Sequence, residues 1–430
     1  MPRLDQLRRN LVEEAAAVNQ AVTRAVTWVL GFTYAVAWGI AGWLWTGPLN
    51  DLDYFFLPAV RIALNGHPLL VYAVRYQGTI ANDNGPLGLL PLTAVSAVAS
   101  WLGWMDDERL RRGLILGALS IFSLLMAREA VAAIDRVRRV RLGGRSRLLA
   151  YGVFVASPTL WNSVLGYGHV EQPMTLWLVL LGVRTLVSDR PRAAGISFGL
   201  AILTRSLAAL PLVPLGLLLL ARSKLRTLTW LTGSAALVVI LGLLPFLLAD
   251  PTNTIYSLLT HRADRPPGGG SFWQVAVGTA VQWIPQRADV LFVLGLAVVV
   301  SLIVIRARKD LEPSSGDIYG LLALTALTLP LLAKSVWPYY FLDAYVFGAV
   351  WWLGQASRLA WPRFFIGAVV PLIASIGTLL TEYEIGATDG RARPAEGVAM
   401  GVILAVLIVA LTARLQRPAI LSVGRAAVQD

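Results

Sequence analysis

The sequence predicts an all-α polytopic membrane protein, with about twelve transmembrane helices and amphipathic surface helices in its first outer loop. Three observations predict it. Hydrophobic residues fill 56% of the 430 positions, charged residues only 14%, and mean hydropathy is +0.64. Soluble domains carry nearer a quarter charged residues. Apolar runs able to cross a hydrocarbon layer of about 30 Å recur along the whole chain. Arginines gather in the short segments between alternate runs, as they do in cytoplasmic loops.

Residues 1–24 alternate Leu4, Leu7, Leu11, Val12 and Ala15 with Arg8, Arg9, Glu13 and Glu14, the pattern of a cytoplasmic segment lying in the membrane interface. No cleavage site follows a short apolar core, so no removable signal peptide is expected. The first span is 25–46, and an outer loop with surface helices follows over 47–109. Within it, Tyr54–Leu64 holds aromatics, Pro58 and Arg61, and is too short and too polar to cross.

Segment 86–105 decides the topology. If it crossed, Arg136, Arg138, Arg139, Arg141, Arg145 and Arg147 would fall outside, against the positive-inside rule. It is therefore laid along the outer surface or part way into the membrane, and 110–133 is the second span. The remaining spans are 148–165, 173–187, 193–206, 208–221, 228–248, 289–306, 317–335, 338–356, 364–382 and 397–414, with a second outer loop at 249–288. Both termini then lie inside, and the chain is one integral membrane domain over 1–430. Pro211, Pro214, Pro330 and Pro371 break several spans, which is tolerated where protein or water satisfies the freed backbone and so suggests a cavity.

Composition excludes several functions. Cysteine is absent and there are three histidines, which leaves no thiolate metal site and little for zinc. No Gly-rich phosphate loop is present, so an ATP-driven pump has no engine. The net charge of +12 is assigned to anionic membrane lipid, with no nucleic acid as partner. No internal repeat is visible, which weighs against a transporter of two matched halves.

On the outer face this topology collects Asp51 and Asp53, then His169 and Glu171, then Arg205. It also collects His261 and Arg262 with the run Pro266–Gly270, and Lys334 with Trp337, Tyr339 and Tyr340. Each has a plainer reading. The aspartates are a solvated helix end, Glu171 a helix-start charge, Arg205 a headgroup contact, the tyrosines an interfacial belt, and the Gly-Pro run a mobile stretch or a lid. Together they suit transfer of a sugar from a membrane-bound phosphate carrier. A carboxylate removes the proton of an acceptor hydroxyl, cations meet the departing phosphate, and aromatics stack on sugar faces.

These residues resemble glycosyltransferase superfamily C, most closely the polyprenol-phosphate-sugar-dependent mannosyltransferases of bacteria. The likeness lies in Asp51-Leu52-Asp53-Tyr54-Phe55, Arg61 with Gly66-His67-Pro68, Asn84-Gly85-Pro86-Leu87, Gly168-His169-Val170-Glu171 and Gly199-Leu200-Ala201 with Thr204-Arg205. Two features depart from the family pattern: Gly85-Pro86 replaces Pro-Pro, and Arg205 stands for the usual lysine. The resemblance implies an inverting enzyme of the bacterial inner membrane with its active site facing the periplasm or exterior. It would move a sugar, mannose first among candidates, from a polyprenyl-phosphate donor to a lipid-linked glycan acceptor. The implied base is Asp53 or Asp51: spacing from Gly66 suits Asp53, which is preferred, and the Asp-Leu dipeptide suits Asp51. Arg205, His261, Arg262 and Lys334 are candidates for the phosphate, His169 and Glu171 for positioning, and Tyr339 and Tyr340 for substrate contact. No metal ligand is assigned, and a magnesium or manganese ion is left open. The rivals are a flippase for lipid-linked sugars and a ligase using a polyprenyl-diphosphate donor.

Overall fold

A computed structural model describes residues 28–45, 49, 51–73, 82, 84–138, 142–355 and 392–417. The interfacial segment 1–24, the span 364–382 and both termini lie outside the described residues. Every other expected span has its helix, and the protein is an all-α polytopic membrane protein.

Helix α1 (Trp28–Leu44) is followed by a π-turn at Leu52–Phe56 and the short α2 (Leu57–Leu64). Segment 86–105 forms α3 (Pro86–Trp101), whose sixteen residues rise about 24 Å at 1.5 Å each. Then come α4 (Glu108–Leu119) and α5 (Ile121–Arg138), nearly continuous, and α6 (Gly144–Val155) and α7 (Pro158–Trp161), parted by Pro158. The carbonyls freed at that break are satisfied by side chains: Tyr345 donates to Val153, and Tyr34 and the Trp161 indole donate to Val155. This is how a membrane bundle accommodates a proline.

The chain continues through α8 (Gln172–Val187), α9 (Pro191–Thr204), α10 (Leu212–Ala221) and α11 (Leu225–Ala249). The loop expected at 249–288 is largely helical, with α12 (Pro251–Ile255), a π-turn at Tyr256–Thr260, α13 (His261–Asp264) and a 3-10 turn at Phe272–Ala276. Helix α14 (Trp283–Ala307) starts six residues before the expected 289. After it come α15 (Asp317–Ala326), α16 (Thr328–Leu332), α17 (Phe341–Gln355) and α18 (Ala392–Gln416).

One expectation is corrected. The Gly-Pro run is not a free lid: Gly268–Gly269 forms strand β1, paired in parallel with β2 (Ser335–Val336). The run is thereby stitched to the start of the segment leading into α17.

Burial sorts the helices. Every residue of α15 and most of α8 are buried, so these form the centre, with α17 and α5 beside them. Helices α11, α14 and α18 keep long apolar faces exposed, including Ile240, Leu241, Val299 and Val406, which lipid would cover. Helices α9 and α11 approach closely at small residues: a Cβ on Gly195 would meet Leu231 O at 2.3 Å, and one on Gly199 would meet Val238 Cβ at 2.7 Å.

At the end where α14 stops and α15 begins, Arg308 joins the pieces. All five of its N–H groups are used, on Asp310, on Asp317 and on the carbonyls of Leu415 and Arg417. Asp317 also accepts from the Trp351 indole and from Gln355.

Candidate active site

At the opposite end of α15 and α16 the turn 166–171 meets the 51–53 segment. Gly168 makes this meeting possible. Its φ of 79° favours glycine, and a Cβ there would lie 2.5 Å from Leu52 Cβ. The contact sets His169 between two carboxylates, with Nδ1 2.6 Å from Glu171 Oε1 and Nε2 2.6 Å from Asp51 Oδ2. Burial alone would lower the imidazole pKa, but Glu171 and Asp51 reverse that and raise it to about 10. The two carboxylates thus favour the imidazolium form of His169. Its ring packs 3.9 Å from that of Tyr339.

The two aspartates separate. Asp51 leads into the helical turn Leu52–Phe56, and residues two apart on a helix point away from one another. Asp51 turns to His169. Asp53 turns to Arg112, at 2.6 Å, and to Arg111, at 3.8 Å.

Arg205 lies in the extended link after α9, 5% exposed, beneath Tyr339 and Tyr340 at 5.6 and 5.9 Å from their ring centres. Burial opposes its charge, and Asp343 and Glu171 hold it charged. Among the described residues no hydrogen bond or ion pair closes on its guanidinium, and Glu171 Oε2 is buried without a hydrogen-bond partner. Gln172 frames the group: it accepts from Ser163, at 2.6 Å, and donates to Asp343 and to Tyr339 O, each at 2.9 Å. The Gly85-Pro86 motif serves packing here, since a Cβ on Gly85 would meet Leu203 O at 2.0 Å, just before Arg205.

The remaining candidates form a second group, joined to the first through Tyr340. Arg262 pairs with Asp289 at 2.8 Å and reaches Tyr340 OH at 3.5 Å. The Lys334 ammonium donates to three backbone carbonyls, of Arg262, Arg265 and Gln286, and burial pulls its pKa down to about 8 despite Asp289. Three donors on three acceptors leave none for a phosphate. His261 is held neutral by burial and by Arg265, with its pKa near 4, and its Nε2 is buried without a hydrogen-bond partner.

The structure therefore brings together Asp51, His169, Glu171, Arg205, Tyr339 and Tyr340. It sets Asp53 behind them and His261, Arg262 and Lys334 beside them. Sequence reading missed Arg112, Gln172, Asp289 and Asp343. A lone carboxylate beside or within an apolar run was the signal available for Asp289 and Asp343. No three His, Asp or Glu side chains among the described residues form a group able to hold a metal ion.

No family model matches the chain, and no curated protein matches it. Among solved structures, the crystal structure of ArnT from Cupriavidus metallidurans bound to undecaprenyl phosphate is similar at a TM-score of 0.49 and 17% identity, over 92% of this chain and 73% of that one.

Proposed function

We propose that this chain is a glycosyltransferase of the superfamily C kind, inverting, which takes a sugar from a polyprenyl phosphate and adds it to a lipid-linked glycan. The observation that carries the reading is Arg205, a buried guanidinium with no acceptor on it among the described residues, near Glu171, which is linked through His169 to the Asp51 carboxylate that can act as base. A buried cation with open hydrogen-bonding capacity suits an incoming phosphate, and arginine forks two N–H groups onto it. A flippase would need the cation but not the base.

Asp51 is assigned as the base in preference to Asp53. Its Oδ2 rests on the His169 imidazolium, and its Oδ1 has no partner among the described residues. In the reaction Oδ1 takes the proton of the acceptor hydroxyl as that oxygen attacks the anomeric carbon. The bond from that carbon to the phosphate oxygen breaks on the opposite face, and its electron pair leaves with the phosphate, where Arg205 meets the growing charge. Glu171 holds His169, and His169 orients Asp51. Tyr339 and Tyr340 offer ring faces to the sugar. Mannose is the sugar the motif resemblance favours, and the site is assigned to the periplasmic or outer face of a bacterial inner membrane with both termini inside. No step requires a metal.

Purified protein incubated with radiolabelled polyprenyl-phosphate-mannose and membrane lipid acceptors should form labelled glycolipid. A parallel screen of other polyprenyl-phosphate sugars names the donor. Consumption of a diphosphate-linked glycan alone would establish the ligase instead. Movement of lipid-linked sugar across vesicles without transfer would establish the flippase.

A further inference from the structure

The carboxylate beside the base has its own set of partners, which the proposed chemistry does not use. The Asp53 amide donates to Leu49 O at 2.8 Å, and the Leu49 amide donates to Asp53 Oδ2 at 2.9 Å. These two bonds close a small ring over residues 49–53, with Asp51 inside it. The same Oδ2 accepts from Arg112 Nη2 at 2.6 Å. Arg112 is 2% exposed and also pairs with Glu108 one turn earlier.

The helix that presents Arg112 is itself braced. On α4, a Cβ on Gly113 would meet Gly39 O at 3.0 Å and one on Gly117 would meet Ala35 O at 3.1 Å, so α4 lies backbone to backbone against α1. A side chain on such a packed element is a fixed point. On the far side His169 holds Asp51. The loop that carries the base is thus gripped on both sides.

We infer that Asp53 and Arg112 are positioning residues, an ion-paired strut that fixes the 49–53 ring and so aims Asp51 at the acceptor hydroxyl. The inference rests on Asp51 being the base. Displacement of a reacting group by about 1 Å can lower a rate on the order of 10²-fold, so a strut is visible in kinetics even though it touches no substrate. A buried pair also has a signature. Removing one partner strands the other, whereas removing both does not, so the two losses do not add.

The test is transfer kinetics on full-length protein in lipid nanodiscs, with the wild type, Asp51→Asn, Asp53→Ala, Arg112→Ala, Arg112→Lys and the double Asp53→Ala/Arg112→Ala, each checked for a monodisperse peak and a thermal midpoint. Asp53→Ala and Arg112→Ala should each lower kcat roughly 10²-fold with donor KM little changed, and Arg112→Lys should recover most of the loss. The double variant should fall no further than the worse single. The acid limb of the kcat/KM profile should persist at reduced height in Asp53→Ala and vanish in Asp51→Asn. Normal kcat in Asp53→Ala, or losses that multiply in the double variant, would overturn the strut. Loss of the acid limb in Asp53→Ala would make Asp53 the base. A wild type without transfer from any polyprenyl-phosphate sugar would remove the proposed function itself, an outcome distinct from these.

Discussion

The two ends of the central helices handle charge in opposite ways. At the Arg308 end every guanidinium N–H has an acceptor, and Asp317 is met by an arginine, an indole and an amide. At the Arg205 end an equally buried guanidinium has none among the described residues, while Glu171 Oε2 stands without a hydrogen-bond partner and His169 is wedged between carboxylates. Unmade buried hydrogen bonds lower stability. The network is complete at one end and open at the other, which is why the open end is the one proposed as the site.

The sharpest way to break that comparison is at the base. Asp51→Asn should lower transfer on the order of 10²–10⁴-fold, the usual range for a lost general base, with donor binding intact. Transfer near the wild-type rate would leave the open end without chemistry. Next in size is a paired experiment on the two arginines. Arg205→Ala should lower kcat about 10²–10³-fold, the scale of one lost oxyanion donor, and Arg205→Lys should lose less. Arg308→Ala should instead strand Asp317 and destabilise the fold by about 3–5 kcal/mol, read as a lower thermal midpoint with kcat of the surviving protein little changed. If the two variants behaved alike, the contrast between the ends would fall.

A third measurement sharpens the charge assignment. The His169 pKa is raised, so the unfolded state gives up its proton first as pH rises. The stabilisation from its ion pairs should be fully present below about pH 6.5 and should fade as pH rises through about 10. Thermal midpoints recorded from pH 6 to 10.5 should decline over that window, and His169→Gln should remove the component due to the imidazole. The smallest intervention fixes orientation. The chain has no cysteine, so single cysteines at Ser146 and Thr252 can be labelled with an impermeant thiol reagent in sealed cells. Thr252 should label from outside and Ser146 only after lysis; the reverse would turn the site inward.

Much of the helical plan was legible in the residues because apolar length and arginine placement depend on the membrane alone, not on which helices touch. The span expected at 228–248 runs as Leu225–Ala249, a turn's worth of residues longer. The short helices inside 249–288 were not legible, for a physical reason. They are one or two turns long and depend on contacts such as the Lys334 ammonium, which no local pattern announces. At the site, His169, Glu171 and Arg205 were legible by type and by the side of the membrane they share. Which aspartate faces them was not, because that rests on a helical turn at Leu52–Phe56 in a stretch of aromatics and proline. Arg112 was missed because an arginine at a helix start reads as a headgroup contact until its partner, 59 residues away, is seen.

The stitch between Gly268–Gly269 and Ser335–Val336 has a mechanical consequence. The segment above the second cluster is sewn to the chain by strand bonds and knotted below them by three bonds from one ammonium. To lift it as a flap would require all of these to part together. On the proposed function, a long-tailed donor would then have to approach Arg205 from the bilayer, between helices, and not from above. Leu248 on α11, Ile255 on α12 and Leu259 in the π-turn after it are exposed and apolar, a greasy margin on that side.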